Sequence, residues 1–512
     1  MEFNRNIIFD KLTDTEFDVA IIGGGINGAG VALELCLRGF SVALIEQNDF
    51  ASGTSSASSK LVHGGIRYLE HGHFKLVFEA LKERYLLLKN APHLVKPMPF
   101  LIPIYKNGLP FWKLKIGLWL YDFLCFFKKL KPHQILSAKD ALKLEPLLNP
   151  DGLKGAALYY DAKMDDARVC LEIILQAKEL GAVCLNYCEV IGLHQENKQI
   201  KHLKIQEKQS GKNGFIKAKF FVNATGPYSD TILEKLNPQH IPLLRLSKGI
   251  HIMTKRITQF HATVIISKKD NRVFFVIPWE AYTLIGTTDT DYQGPIDNIP
   301  IEEADIDYLL EETQKVFINI KIDKKDIIST FSGLRPLFKQ KGRLSSASRE
   351  HQLSVKENIL SVIGGKYTTY RALSESVAKK ICAIFKKKFM PGLTEELPFH
   401  GGEITDPYDY LEKNYEIDYQ LYPFSKSIYL MLLNRYGNKY YLILSILNES
   451  PELLDPLPGT AYLKGEVIYA IRYEMAIYPE DFLRRRSSIA LSGKSSDCLA
   501  NINKLFKEYL NV

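Results

Sequence analysis

The residues best suited to chemistry gather at glycine turns. Gly23-Gly24-Gly25-Ile26-Asn27-Gly28 sets glycines at 23, 25 and 28 between a strand-like run, 18–22, and a helical run, 28–38. In that context the first glycine permits a tight turn and the second lets a pyrophosphate approach the backbone. The third lets helix and strand pack closely. The helix N-terminus then offers N–H groups and a positive dipole end to phosphates. Glu46 closes the next strand, 41–46, where a carboxylate can accept hydrogen bonds from ribose hydroxyls. Together these features predict a dinucleotide site and leave FAD and NAD both open.

Other turns bring backbone and cations together. Phe221-Val222-Asn223-Ala224-Thr225-Gly226-Pro227 reads as a strand ending in a small-residue turn. Ile363-Gly364-Gly365-Lys366-Tyr367-Thr368-Thr369 reads as a strand, a glycine turn and a helix start. Arg67, Arg335, Arg349 and Lys366 lie beside such turns or at strand ends, where long cationic side chains can converge on a small anion. Tyr68 adds a hydroxyl. His251, after Gly249 on a strand, and His63, before Gly64-Gly65, are the imidazoles suited to general-base work. Each of these side chains competes with a plainer role, as a satisfied core histidine or a solvated cation.

Positioning these groups takes several packed units. At about 150 residues per domain, 512 residues predict two to four domains. A chain 46% hydrophobic and 24% charged is globular, not disordered. The formal charge of +8, from 66 basic and 58 acidic residues, is too slight and dispersed for a nucleic-acid binder. Seven cysteines with no CxxC pair point to neither a disulfide framework nor zinc, and fit a reducing compartment. No run reaches the roughly 18 to 20 apolar residues of a membrane span. Residues 1–15 look like neither a signal nor a transit peptide, so the chain is expected to stay in the compartment where it is made.

The alternation predicts an α/β dinucleotide-binding domain in segments at about 17–90, 151–242 and 335–390. Interleaved with it is a β-rich substrate and membrane-contact domain at about 91–150 and 243–334. That domain includes a hairpin of 273–277 and 282–285 turning at Pro278-Trp279-Glu280. A helical domain follows from 396 to 512.

At these turns the chain resembles the FAD-dependent, amino-acid-oxidase-like flavoproteins, in which an Ala-Thr-Gly strand end flanks FAD and a late Gly-Gly helix start faces the flavin. Thr54-Ser55-Ser56-Ala57-Ser58-Ser59-Lys60-Leu61-Val62-His63-Gly64-Gly65-Ile66-Arg67-Tyr68-Leu69-Glu70 is closer still to the signature of the aerobic, FAD-dependent glycerol-3-phosphate dehydrogenases, in a form that looks bacterial. Ala91-Pro92-His93-Leu94, Ile285-Gly286-Thr287-Thr288-Asp289, Ser332-Gly333-Leu334-Arg335-Pro336-Leu337 and Arg484-Arg485-Arg486 extend the likeness over nearly the whole chain. The chain has no long insertion of the kind found in oxygen-using glycerophosphate oxidases.

The resemblance implies an α/β, Rossmann-like FAD-binding fold of the amino-acid-oxidase type, a β-rich substrate domain and a C-terminal α-helical domain. It implies FAD contacts at Gly23, Gly25, Ile26, Asn27, Gly28, Glu46, Gln47, Thr54, Ser55, Ser59, Lys60, Leu61, His63, Gly64, Gly65, Ala224, Gly226, Gly333, Gly365, Lys366 and Thr368. The implied reaction oxidises sn-glycerol 3-phosphate to dihydroxyacetone phosphate by hydride transfer to flavin N5, with electrons passed to membrane quinone. In that reading Arg67, Tyr68, Arg335, Arg349 and Lys366 hold the phosphate, and His251 or His63 takes the C2 hydroxyl proton. No metal is expected. An oxidase using O₂ and a flavin-binding, membrane-associated redox sensor without turnover are the alternatives.

Residues 111–131 join an aromatic and aliphatic body to flanking lysines, too short and interrupted to span a bilayer. Such a segment can bury an apolar face at the headgroup boundary while its lysines meet anionic lipid. It reads as well as a core helix with solvated ends, because apolar residues occupy all its faces. With the resemblance, the expectation is a peripheral enzyme on the cytoplasmic face of the inner (plasma) membrane, its oligomeric state open and a homodimer included.

Overall fold

The computed structural model describes residues 3–106, 110–125, 130–318, 320–339 and 351–510, with the side chains of Arg67 and His71 outside that description. The first sheet follows from apolar runs too continuous to have a wet face. Val19, Ile21, Val42, Leu44 and Val222 are all buried, as parallel strands covered on both sides require. Glu16–Ile22 pairs in parallel with Asn213–Asn223 and Val42–Ile45. The parallel set continues to Ile359–Ile363 on one side and Val183–Leu185 on the other. Helices Ile26–Cys36, Asp166–Glu179 and Tyr370–Ile384 cover one face. Helix Arg5–Asp14 and the hairpin of Cys188–Glu196 with Gln199–Glu207 close the other.

The second sheet rests on two long antiparallel pairs. Leu244–Lys255 runs against Ile327–Phe338 and Tyr282–Gly286, and Val95–Tyr105 runs against Leu153–Met164. Ala262–Ile266 and Val273–Trp279 join the two. Leu153–Met164 therefore lies in this sheet, although a boundary at about 151 would place it in the first. Its partner Val95–Tyr105 matches it almost end to end, a tertiary choice that strand-like patterning does not announce. The hairpin turn also sits later than its sequence suggests. Pro278 and Trp279 still pair with Thr283 and Tyr282, so the chain reverses at Glu280-Ala281, the short two-residue connection that matches strand twist.

Beyond the sheets, Pro407–Leu421, Lys426–Tyr436, Tyr440–Leu447, Lys464–Tyr473 and Ser495–Tyr509 form the helical C-terminal domain around its own cores. Buried charges pin it to the first sheet. Arg485 and Arg486 both bond Asp49, and Arg168 donates to Glu474 at 2.8 Å. Burial pushes the Asp49 carboxyl up, but the two guanidiniums outweigh it and hold it below its usual range.

Helix Phe111–Leu124 buries one face and exposes another. Leu114, Leu118 and Tyr121 are buried, whereas Trp112, Ile116, Trp119 and Phe123 are 61%, 57%, 63% and 60% exposed. These four recur at helical spacing and make one apolar outer stripe. Among the described residues no helix is long and apolar enough to cross a membrane.

Candidate active site

The strand end at Ile22 and the start of helix Ile26–Cys36 form one end of the site. Gly23 adopts φ +108°, and a Cβ there would stand 2.7 Å from the Ala224 carbonyl oxygen. A Cβ on Gly28 would collide with the Gly23 carbonyl. Gly28 therefore acts by letting helix and strand pack, and does not itself face the cavity that Gly23 and Gly25 line. Glu46 accepts from the Gly24 N–H at 2.7 Å and from the Asn48 N–H at 2.9 Å. Its burial pushes the carboxyl up despite these bonds. Ser55 Oγ accepts from the Ile26 N–H at 2.9 Å, so its hydroxyl caps this helix.

The Ser/Thr loop then crosses onto the second sheet. Thr54 Oγ1 donates to the Leu334 carbonyl at 2.6 Å, and Ala57 packs where a side chain on Gly333 would be. Lys60 lines the same cavity and ion-pairs with the buried Asp166, which also accepts from the Ser58 hydroxyl at 2.6 Å. A buried ammonium needs such a partner, and the pair locks the loop's exit. Ser59 Oγ lies 2.9 Å from His251 Nε2.

His251 is 2% exposed and stacks on Phe331 at 4.7 Å between ring centroids. Its Nδ1 has no hydrogen-bond partner among the described residues. Burial, reinforced by the Arg335 and Lys60 charges, holds the imidazole well below its usual pKa. The ring is therefore neutral at pH 7, in the form that accepts a proton.

The ladder explains why His251 and Arg335 share a wall. Ser247 pairs with Arg335, Gly249 with Gly333 and His251 with Phe331, and alternate residues of a strand point to one face. Arg335 donates to Thr287 Oγ1 at 2.8 Å, to the Thr288 carbonyl at 3.2 Å and to Asp289 at 3.3 Å. These anchors fix its guanidinium at the cavity edge. In the same cavity, Lys366 Nζ sits 3.7 Å over the Tyr68 ring, a cation–π contact. Asn27 Nδ2 donates to the Gly364 carbonyl at 3.3 Å, tying the first glycine turn to the last. The His63 N–H lies 3.4 Å from Thr368 Oγ1.

Glu46, Thr54, Ser59, Tyr68, His251, Arg335 and Lys366 line one continuous cavity of about 2870 Å³. That is well beyond the roughly 300–1,000 Å³ of a drug-sized ligand site and suits an extended dinucleotide with a small substrate beside it. The walls include Glu46, Gln47, Leu61, His63, Gly64, Gly65, Gly226, Gly365 and Thr368. Arg349 and the Arg67 side chain, both expected at the phosphate, lie outside the described residues.

The family model for FAD dependent oxidoreductases matches residues 18–365 of this chain, and that for the C-terminal domain of alpha-glycerophosphate oxidase matches 393–512. An aerobic glycerol-3-phosphate dehydrogenase of Staphylococcus aureus is 35% identical over 499 residues, covering 95% of this chain and 89% of that protein. The chain belongs to the aerobic, FAD-dependent glycerol-3-phosphate dehydrogenase family. The Staphylococcus haemolyticus dehydrogenase is likewise 35% identical, over 94% of this chain and 89% of its own. The glycerol-3-phosphate dehydrogenase from Bacillus halodurans, solved complexed with FAD, matches with a TM-score of 0.82 at 30% identity, covering 98% of this chain and 93% of that one. The L-alpha-glycerophosphate oxidase of Mycoplasma pneumoniae, at a TM-score of 0.58 and 18% identity, shares the fold. The amino-acid-oxidase-type FAD-binding fold with its helical C-terminal domain is thus the fold of this family member, and FAD is the cofactor of the family.

Several residues that shape this family member's candidate site are not singled out by sequence. Asp166, Phe331 and the Thr287 and Asp289 anchors of Arg335 belong to this group, as does Asp49, whose partners Arg485 and Arg486 fall in a family-like segment that does not point to it. Thr287 and Asp289 fall within a family-like segment, but nothing there points to Arg335. For Phe331 the only signal is its place two residues before the Gly333 turn.

Proposed function

We propose that this protein oxidises sn-glycerol 3-phosphate to dihydroxyacetone phosphate and delivers the electrons to membrane quinone. The observation that carries the reading is that one cavity is lined by the buried His251, an anchored Arg335 and the Lys366–Tyr68 pair. Glu46 and Gln47 would hold the adenosine ribose of FAD, and Gly23, Gly25, Ile26 and Asn27 its pyrophosphate. Thr54, Leu61, Gly64, Gly65, Ala224, Gly226, Gly333, Gly365 and Thr368 would line the remainder. Bound there, FAD supplies the two-electron acceptor for hydride from substrate C2, at flavin N5.

The chain's own residues do the rest. Arg335 and Lys366 bind the phosphate through charge-assisted bonds, with the Tyr68 hydroxyl beside them, and so fix where C2 lies. His251 Nε2 takes the C2 hydroxyl proton in place of its bond to Ser59 Oγ, the ring held by its stack on Phe331. Burial keeps that imidazole neutral in readiness. A phosphate dianion on Arg335 adds negative charge near the ring and raises its basicity when substrate is present. His63 is the second candidate base, and its side chain neighbours Phe275 at 6.4 Å.

We assign the outer stripe of Trp112, Ile116, Trp119 and Phe123, with Lys113 and Lys115 on the same helix, to the surface of an anionic bilayer. Aromatic side chains sit well at the headgroup boundary while lysines meet lipid phosphate. The acceptor distinguishes a dehydrogenase from an oxidase. Supplied with glycerol 3-phosphate and a soluble quinone, the holoenzyme is expected to form quinol one for one with dihydroxyacetone phosphate, and little peroxide under air. Stoichiometric peroxide with the quinone untouched would assign an oxidase instead.

A further inference from the structure

Resting on that reading of the substrate site, we propose that Tyr121 is a positioning residue. Its hydroxyl, fixed by Asp161 and Arg84, sets the His63-Gly64-Gly65 turn that presents Tyr68 to Lys366.

The turn begins where a ladder ends. Leu61 and Val62 pair with Lys163 and Ala162 of Leu153–Met164, and past Val62 the chain leaves the sheet. The buried Gly64 N–H then needs another acceptor. It donates to Tyr121 Oη at 2.9 Å. That oxygen donates its only proton to Asp161, at 2.7 Å to Oδ1 and 2.9 Å to Oδ2. With the proton committed to a carboxylate, a lone pair is left for Gly64, so the direction of the bond is dictated.

Arg84 fixes Asp161 in turn. Its guanidinium ion-pairs with that carboxylate and donates to the Tyr160 carbonyl at 3.0 Å and to Cys125 Sγ at 2.8 Å. Side chains of the pair are 1% and 2% exposed. A buried ion pair contributes little net stability and constrains geometry strongly, and no step of the proposed chemistry uses this one. Its geometric yield is at Gly64. A Cβ there would stand 2.5 Å from Tyr121 Oη and 2.6 Å from Leu81 Cδ2, so the turn is packed onto the hydroxyl. Gly65 follows with φ +73° and leads into the short helix Ile66–His71. The Tyr68 ring folds back against Gly65 and carries Lys366 Nζ on its face. Tyr121 comes from the same helix whose outer stripe is apolar, so one helix holds both the exposed aromatic face and the support of the site.

Tyr121→Phe removes the hydroxyl and keeps the ring, which packs edge-on against Tyr159 at 6.0 Å. In the holoenzyme the expected result is a KM for glycerol 3-phosphate raised about tenfold, the effect of one buried hydrogen bond left unmade. The kcat should change by less than about threefold, FAD per chain should hold, and the Gly64 amide should exchange hydrogen at least about tenfold faster. Leu118→Ala is the comparison: it opens a cavity beneath the same helix without touching Gly64. It should lower Tm and leave KM within about twofold. An unchanged KM in Tyr121→Phe overturns the proposal, and so does an equal rise in Leu118→Ala, which would assign the effect to loosening of the helix. Should Tyr121→Phe fail to fold, the wild-type holoenzyme still decides. A Gly64 amide that exchanges as fast as in an unstructured peptide overturns the proposal, and one strongly protected supports it. Wild-type flavin that glycerol 3-phosphate does not reduce would remove the substrate reading while leaving the exchange result to judge the turn.

Discussion

Replacing Arg335 with alanine tests the phosphate clamp. The guanidinium is only 23% exposed and is held from behind by Thr287, the Thr288 carbonyl and Asp289, so it meets a bound anion without reorganising. A hydrogen bond to a charged group is worth about 1.5–3 kcal/mol, and each 1.4 kcal/mol is about tenfold. Arg335→Ala should therefore raise the KM for glycerol 3-phosphate by roughly 10-fold to 150-fold. Freed of its partner, Asp289 would add repulsion in the same direction. Arg335→Lys keeps the charge but loses the planar fork, and should fall between the two. FAD content should hold, because Thr54 bonds the Leu334 backbone carbonyl and no Arg335 atom. Steady-state kinetics with flavin absorbance per chain make the check. An unchanged KM, or a loss of FAD that accounts for the whole defect, would refute the assignment.

Three further outcomes follow from the same structure. Asp49→Asn leaves Arg486 buried without its counter-charge and Arg485 with Asp481 alone, at a cost of about 3–5 kcal/mol; calorimetry should show the melting temperature falling by several degrees, and an unshifted transition would show that the C-terminal domain is held some other way. Because burial holds native His251 well below 6.5, the unfolded chain binds a proton below that pH that the native protein refuses. Its contribution is complete above pH 6.5 and declines as pH falls, by up to about 1.4 kcal/mol per unit. Denaturant titrations of His251→Gln should show a shallower acid decline than wild type, and identical slopes would count against a buried neutral ring. Trp112→Ala with Trp119→Ala should cut co-sedimentation with anionic vesicles at least about tenfold while turnover with a soluble acceptor is retained; undiminished binding would move the membrane face elsewhere.

What was legible in the sequence was what local geometry dictates. The glycines at 23, 25 and 28 and the acid at 46 stand within one strand-turn-helix-strand unit, and their spacing carries the cofactor end of the site. Lys366 was readable as a cation beside a glycine turn, whereas Arg335, expected at a turn or strand end, lies inside the long strand Ile327–Phe338. His251 was readable as a base, but not its partner Ser59, because the two lie 192 residues apart and meet only when the Ser/Thr loop crosses the second sheet. The ion pair of Lys60 was not readable, because nothing nearby in sequence reveals Asp166, 106 residues on. Helix Phe111–Leu124 is apolar all round, so its periodicity could not separate the face that buries Tyr121 from the one that exposes Trp119. The anchoring of the C-terminal domain through Asp49 depends on arginines more than 430 residues away, a distance over which pattern carries no information.

An anaerobic absorbance spectrum of the purified protein, taken before and after adding glycerol 3-phosphate, tests the central claim most directly. Oxidised flavin bands near roughly 450 nm are expected to bleach on addition of this substrate, with dihydroxyacetone phosphate formed one for one with flavin. Bands that persist through saturating glycerol 3-phosphate, in protein whose flavin still responds to a chemical reductant, would contradict it.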